Sequence, residues 1–187
     1  MKIAVTGHRP SKLGDAYDLM HPTNINIAVM MRNFILDKAG FDESTQTFAT
    51  TEKVLLISGM ALGVDTLWAL VGLKLKYQYP HKFDLECAIP CANHSSRWKK
   101  VDKERHADII KRASTVTMVS EEAYAPYLMQ KRNEYMVDKA DILLAVWDGT
   151  KGGTGNCVKY AVKKGSTIYQ YHPTVQPELI RLQEKSA

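Results

Sequence analysis

A chain of 187 residues with 45% hydrophobic and 24% charged side chains can bury one sizeable core, which excludes a disordered or fibrous protein. No apolar run reaches membrane-spanning length, and MKIAVTGHRP enters a strand without a cleavable leader, so a cytoplasmic protein with no membrane association is expected. The net charge of +5 is spread over 25 basic and 20 acidic residues, and Cys87, Cys91 and Cys157 lack zinc spacing; an anionic small molecule suits this balance as well as nucleic acid does, and neither a metal nor a cofactor is expected.

Residues 2–6 (KIAVT) read as a short strand leading into Gly7-His8-Arg9-Pro10, a glycine turn at the end of a strand where open α/β sheets bind ligands. His8 and Arg9 are therefore expected to point into the crevice. Residues 11–23 are irregular, either a lid over that crevice or a surface excursion. Thr23 or Asn24 can cap a helix whose apolar positions Ile27, Met30, Met31, Phe34 and Ile35 have helical spacing and which stops before Gly40. Residues 42–53 read as a polar loop. A second strand, 54–57, runs into Ser58-Gly59-Met60-Ala61-Leu62-Gly63-Val64-Asp65, and Leu67, Trp68, Val71 and Leu75 then mark a largely buried helix. Asp65 either complements the dipole of that helix or meets a ribose hydroxyl or a neighbouring loop amide.

Phe83–Ile89 alternates apolar and polar residues, as a half-exposed strand nearer the sheet edge would. Ser95 or Ser96 can cap a helix carrying Trp98, Val101, Ile109 and Ile110, which places Arg97 and Trp98 in its first turn. There they could clamp a phosphate and stack on a base, or Trp98 could be core. Residues 115–119 form a further strand. On a helix over 124–139, Arg132 and Asn133 interrupt apolar stripes, and a buried polar group needs a partner: a ligand, a salt bridge or a carbonyl. Ile142–Val146 is an apolar, β-rich run buried on both faces, and it opens into Trp147-Asp148-Gly149 and the glycines Gly152, Gly153 and Gly155 before a helix bearing Val158, Ala161 and Val162. Strand, glycine turn and helix N-terminus form an anion cradle. A last strand, Thr167–Tyr171, and a short helix over 177–185 complete the chain.

Alternating strands and helices predict an α/β fold: a single three-layer, doubly wound, Rossmann-like domain around a mainly parallel sheet of about six strands. Glycine turns follow the first, second and fifth strands and should converge on one pocket. Backbone amides of Gly152, Gly153, Thr154, Gly155 and Asn156, and of the 59–63 turn, are the expected phosphate donors, with Gly7, Ser58, Met60 and Gly63 shaping the turns. Arg9 and Arg132 are expected charge partners, with Asn133 beside them. Asp65 or Asp148 would meet a ribose or act as general base, and Trp98 or Trp147 would stack on a base.

The ordered set TGHRP, SGMALGVDTLWA, QKRNEYMVDKADILLAVWDG and GGTGNC resembles the SLOG superfamily of Rossmann-like domains, most closely its stand-alone YpsA-like members. Parts of it are similar to the DNA-processing protein of natural transformation and to the Lonely Guy phosphoribohydrolases. The resemblance implies a nucleotide or nucleotide-derived ligand, NAD-derived signals among them, and a homodimer. In the hydrolases an arginine, matched here by Arg132, pairs with a glutamate just after the glycine turn. Here the turn continues Gly155-Asn156-Cys157-Val158-Lys159, without that carboxylate. A nucleotide-binding sensor or sequestering protein is therefore expected first. The alternatives are a phosphoribohydrolase using Arg132 with Asp148 or Asp65, and a single-stranded nucleic-acid binder.

Overall fold

Along β1 (Lys2–Gly7) Ile3 and Val5 enter one apolar core and Ala4 the other, and on β4 (Val54–Ser58) Leu56 and Ile57 divide in the same way. Strands apolar on both faces need cover on both, which makes three layers. The computed structural model describes residues 1–174 and 178–183. One face is covered by α1 (Pro22–Lys38), α2 (Val64–Gln78) and α3 (Lys100–Arg112), which supply Ile27, Met31, Phe34, Trp68 and Ile109 to its core. The other carries α4 (Pro126–Lys139) and α5 (Gly153–Lys163), through Met136, Val137, Cys157 and Ala161.

The remaining strands are the short pair β2 (Phe41–Asp42) and β3 (Thr47–Phe48), then β5 (Phe83–Ile89), β6 (Thr115–Met118), β7 (Ile142–Val146), β8 (Thr167–Tyr171) and β9 (Leu179–Gln183). The main sheet runs β6-β5-β4-β1-β7-β8-β9, with the first six strands parallel and β9 antiparallel to β8. The expected doubly wound, mainly parallel sheet is present, extended by one antiparallel strand. Chain order reverses beside β1, so the strands followed by glycine turns, β4, β1 and β7, lie abreast. Gly7 closes this centre: a Cβ there would overlap the Val64 side chain at the start of α2.

Several boundaries differ from the sequence expectation. The cap of α1 is His21, whose ring accepts the Thr23 N–H at 3.3 Å. Asn24 is instead buried and donates to Ala16 O and Asp18 O at 2.9 and 2.7 Å, so the 11–23 segment is pinned to the body, with Leu13 in the core. The polar loop at 42–53 contains the β2–β3 hairpin. Helix α3 starts at Lys100, not at Ser95 or Ser96, leaving Arg97 and Trp98 on the preceding loop. The helix expected over 177–185 is replaced, in its described part, by β9, because the open edge of β8 accepts a ladder partner; Pro177, Glu184 and Lys185 lie outside the described residues.

Strand β5 is not half exposed. Its polar residues are matched by partners from neighbouring elements: Asp84 accepts from Lys53 Nζ at 3.0 Å and Ser114 Oγ at 2.8 Å. Glu86 is fully buried and accepts from Thr117 Oγ1 at 2.9 Å and Tyr135 OH at 2.6 Å, with Lys139 Nζ 2.7 Å from Oε2. Burial pushes the Glu86 carboxyl up, but Lys139, Tyr135 and Thr117 together hold it below its ordinary value of 4.5. A carboxylate with a depressed pKa contributes stability that is present above that ordinary value and lost as pH falls through the folded one. Lys139→Met, which leaves the charge buried and unpaired, should therefore cost about 3 kcal/mol in urea unfolding at pH 7. The loss should shrink as pH falls through the folded-state pKa of Glu86, where the carboxyl takes up its proton and no charge is left to pair.

Candidate functional site

The turn after β7 is held by its own side chains. Asp148 Oδ1 accepts from the Thr150 N–H at 2.9 Å and hydroxyl at 2.7 Å, and lies 2.7 Å from His8 Nε2. Trp147 Nε1 donates to Thr150 O at 2.8 Å, and its ring packs beneath Gly155. Burial would raise the Asp148 carboxyl, yet the Thr150 and His8 hydrogen bonds hold it well below the usual carboxylate range. Asp148 and Trp147 thus build the turn and line neither of the two cavities beside it.

Helix α5 begins at Gly153, and the amides of Gly153, Thr154 and Gly155 belong to its first turn, which has no intrahelical acceptors for them. These residues and Gly152 border a cavity of about 260 Å³. Asn156 does not: its N–H bonds Gly152 O at 2.9 Å and it is exposed. From the end of β1 and the turn after it, Thr6, Gly7, His8 and Arg9 reach the same cavity. His8 is buried, with its ring turned to Asp148, whereas Arg9 is exposed at the mouth. Lys12 crosses from this first turn to the third, donating to Thr150 Oγ1 at 2.7 Å and Lys151 O at 3.3 Å.

The second turn contributes differently. Ser58 Oγ donates to Asp65 O at 2.8 Å and accepts the Met60 N–H at 3.1 Å, while the Ala61 N–H meets Asp65 Oδ2 at 3.3 Å. Two amides of the 59–63 turn are thereby spent within it, contrary to their expected role as phosphate donors. Ser58, Met60 and Gly63 line neither cavity, and Met60 packs in the core. What this turn presents instead is Arg132. Its guanidinium lies where a Gly59 side chain would be, and its Nη1 donates to Gly59 O and, at 2.9 Å, to Asp65 Oδ2. Burial pushes the Asp65 carboxyl up, opposed by Arg132 and the Ala61 amide. Arg132 is 6% exposed, and its Nε has no hydrogen-bond partner among the described residues. Asn133, the next residue of α4, reaches Gly153 O with Nδ2 at 3.5 Å.

Arg132, Arg9, Ala61 and Met129 also border a second cavity of about 330 Å³, so the two adjoin. Gly59, Arg97 and Trp98 line this one, joined by Asn93, His94 and Tyr124. The sequence reading missed Lys12, Thr150, Lys151, His94 and Tyr124. Lys12 and Thr150 flank glycine turns already singled out, so proximity in sequence was an available signal; nothing in the sequence pairs Tyr124 with the 93–98 loop. Among the described residues no group of three or more His, Cys, Asp or Glu could hold a metal, and no helix is long and apolar enough to cross a membrane.

Two solved structures share the fold. DNA processing protein A (DprA) from Streptococcus pneumoniae superposes with a TM-score of 0.59 at 15% identity, over 94% of this chain and 51% of that one, so the chain spans about half its length. DprA from Helicobacter pylori, described for its single-stranded DNA binding mode, gives 0.58 at 15% identity over 95% and 68%. In sequence, the SPbeta prophage-derived protein YoqJ of Bacillus subtilis (strain 168) is 32% identical over 140 residues, 68% of this chain and 81% of that protein. A UPF0398 protein of Bacillus cereus (strain AH820) is 30% identical over 173 residues, 91% and 86% of the two chains. The profile described as YspA SLOG family matches residues 3–177, and with these relatives over most of its length the chain belongs to that family.

Proposed function

We propose that this chain binds the phosphate of a nucleotide or nucleotide-derived small molecule at the start of α5 and holds it without turnover, as a sensor or sequestering protein. The observation that carries this reading is the make-up of the 260 Å³ cavity: first-turn amides of α5 on one side, and Arg9, Lys12, Lys151 and the buried Arg132 around it. Helix-end amides and fixed cations favour an anion, and Arg132, which lines the cavity, adds a charge that does not titrate. Its one carboxylate, Asp65, is already tied to Arg132 and Ala61.

Turnover is disfavoured by the same contacts. Cleaving an N-glycosidic bond calls for a carboxylate free to stabilise positive charge or activate water. Asp65 is held by its ion pair, Asp148 faces His8 and Thr150, and the place of the hydrolase glutamate is taken by Lys159. Calorimetry of the full chain against AMP and ADP-ribose should give saturable binding, with no free base or ribose phosphate on chromatography. Lys12→Ala should weaken binding about tenfold, since a hydrogen bond from a charged donor is lost. No heat from any nucleotide of such a panel would overturn the reading.

A second reading, a single-stranded nucleic-acid surface, is favoured by the exposed Tyr124 and Tyr127 and the cationic Arg97 at the rim, residue types that stack on bases and neutralise phosphates. It predicts that a labelled dT oligonucleotide binds and that its affinity falls log-linearly with salt, with a slope of about −0.7 per phosphate contacted. A flat salt response or no binding rejects it.

A further inference from the structure

Beyond Arg132 the phosphate cavity continues into the 330 Å³ cavity lined by Trp98, His94 and Tyr124. Trp98 is half-buried on the loop between β5 and α3, and part of its ring lines the cavity. Its ring is set by edge-to-face contacts with His94, at 5.0 Å between centroids and 82°, and with His106, at 5.3 Å and 84°. The loop that carries it is itself tied down. The Trp98 N–H bonds Ser95 O at 3.0 Å, and Asn93 Oδ1 accepts the Tyr124 N–H at 2.8 Å, joining this loop to the segment before α4. An aromatic fixed in advance loses little rotamer freedom when it receives a flat ring.

The neighbouring polar groups suit a ring that is uncharged. His94 Nε2 lies 3.2 Å from Met60 O, and because a carbonyl can only accept, Nε2 carries the proton and Nδ1 is left as an acceptor. Burial, with His106, Arg132 and Arg9 nearby, pushes the His94 pKa down to about 4 against the pull of the Met60 carbonyl, so the imidazole is neutral at pH 7. Asn93, its Oδ1 engaged by Tyr124, keeps an amide donor at the cavity.

We propose that this cavity is a nucleobase subsite: the base of the ligand lies against Trp98 and beside Tyr124, the sugar spans Arg9 and Arg132, and the phosphate reaches the amides of α5. The inference rests on the phosphate reading above and adds to it where the base is held and by which residues, so that the base itself, and not the sugar phosphate alone, contributes to affinity. Calorimetry of the full chain with ribose 5-phosphate and with AMP, GMP, CMP and UMP separates the two claims. At least one nucleotide should bind about tenfold more tightly than ribose 5-phosphate, the size expected of one base–aromatic stack. Trp98→Leu or Tyr124→Ala should erase that preference while leaving ribose 5-phosphate affinity unchanged. In the wild-type chain the Trp98 indole N–H resonance should shift with the nucleotide and not with ribose 5-phosphate, a readout that needs no variant to fold. Equal affinities for the two ligand types, or a preference that survives both substitutions, would overturn the subsite and leave the phosphate reading standing. Silence from every ligand would overturn both.

Discussion

The pairing of β1 with β4 along one edge and β7 along the other is the constraint on which the site depends. It brings three turns from distant parts of the chain to one end of the sheet, side by side, and fixes their register through Gly7 opposite Val146. Because crossover helices follow each of these strands, the starts of α2 and α5 meet there as well. The missing side chain at Gly7 lets Val64, the first residue of α2, close against the strand end. The crevice at the reversal of strand order, the candidate site, is thus a product of topology before any side chain is considered.

Within that frame the buried Arg132–Asp65 pair divides the labour among the turns. An ion pair so deep recovers its desolvation cost only if the remaining polar atoms find partners. Asp65 does, through Ala61. Arg132 does not wholly, since its Nε remains unmatched among the described residues. The guanidinium therefore belongs to the scaffold on one side and faces the cavities on the other. The second turn accordingly presents to the cavities an arginine seated on its glycine, and the third presents the first-turn amides of α5.

Legibility in the sequence followed the range of the interaction. The strands β1, β4 and β7 were readable as short unbroken β-rich apolar runs, the helices α1 and α2 because their apolar residues recur at helical spacing, and the turns from clustered glycines. The start of α3 was misplaced because Ser95 and Ser96 are sound capping residues, yet the chain is bound there in a turn series, 91–98, that Tyr124 helps to hold. Strand β5 looked half exposed because the pattern shows that Glu86 is charged but not that Lys139, 53 residues away, answers it. In β9 a segment with helical composition pairs with an open strand edge, tertiary context overriding a weak local preference. The Arg132–Asp65 pair, 67 residues apart, left its mark only as a polar residue interrupting an apolar stripe.

The bond between His8 and Asp148 spans 140 residues and stitches the first turn to the third. During synthesis, a nascent chain halted before β7 has left the ribosome holds Gly7, His8 and Arg9 but no acceptor for them and no α5. The cradle is consequently complete only once β7 and α5 have been made, and a molecule captured there would act as a clasp between the first strand of the chain and a late one, resisting their separation more the tighter it binds.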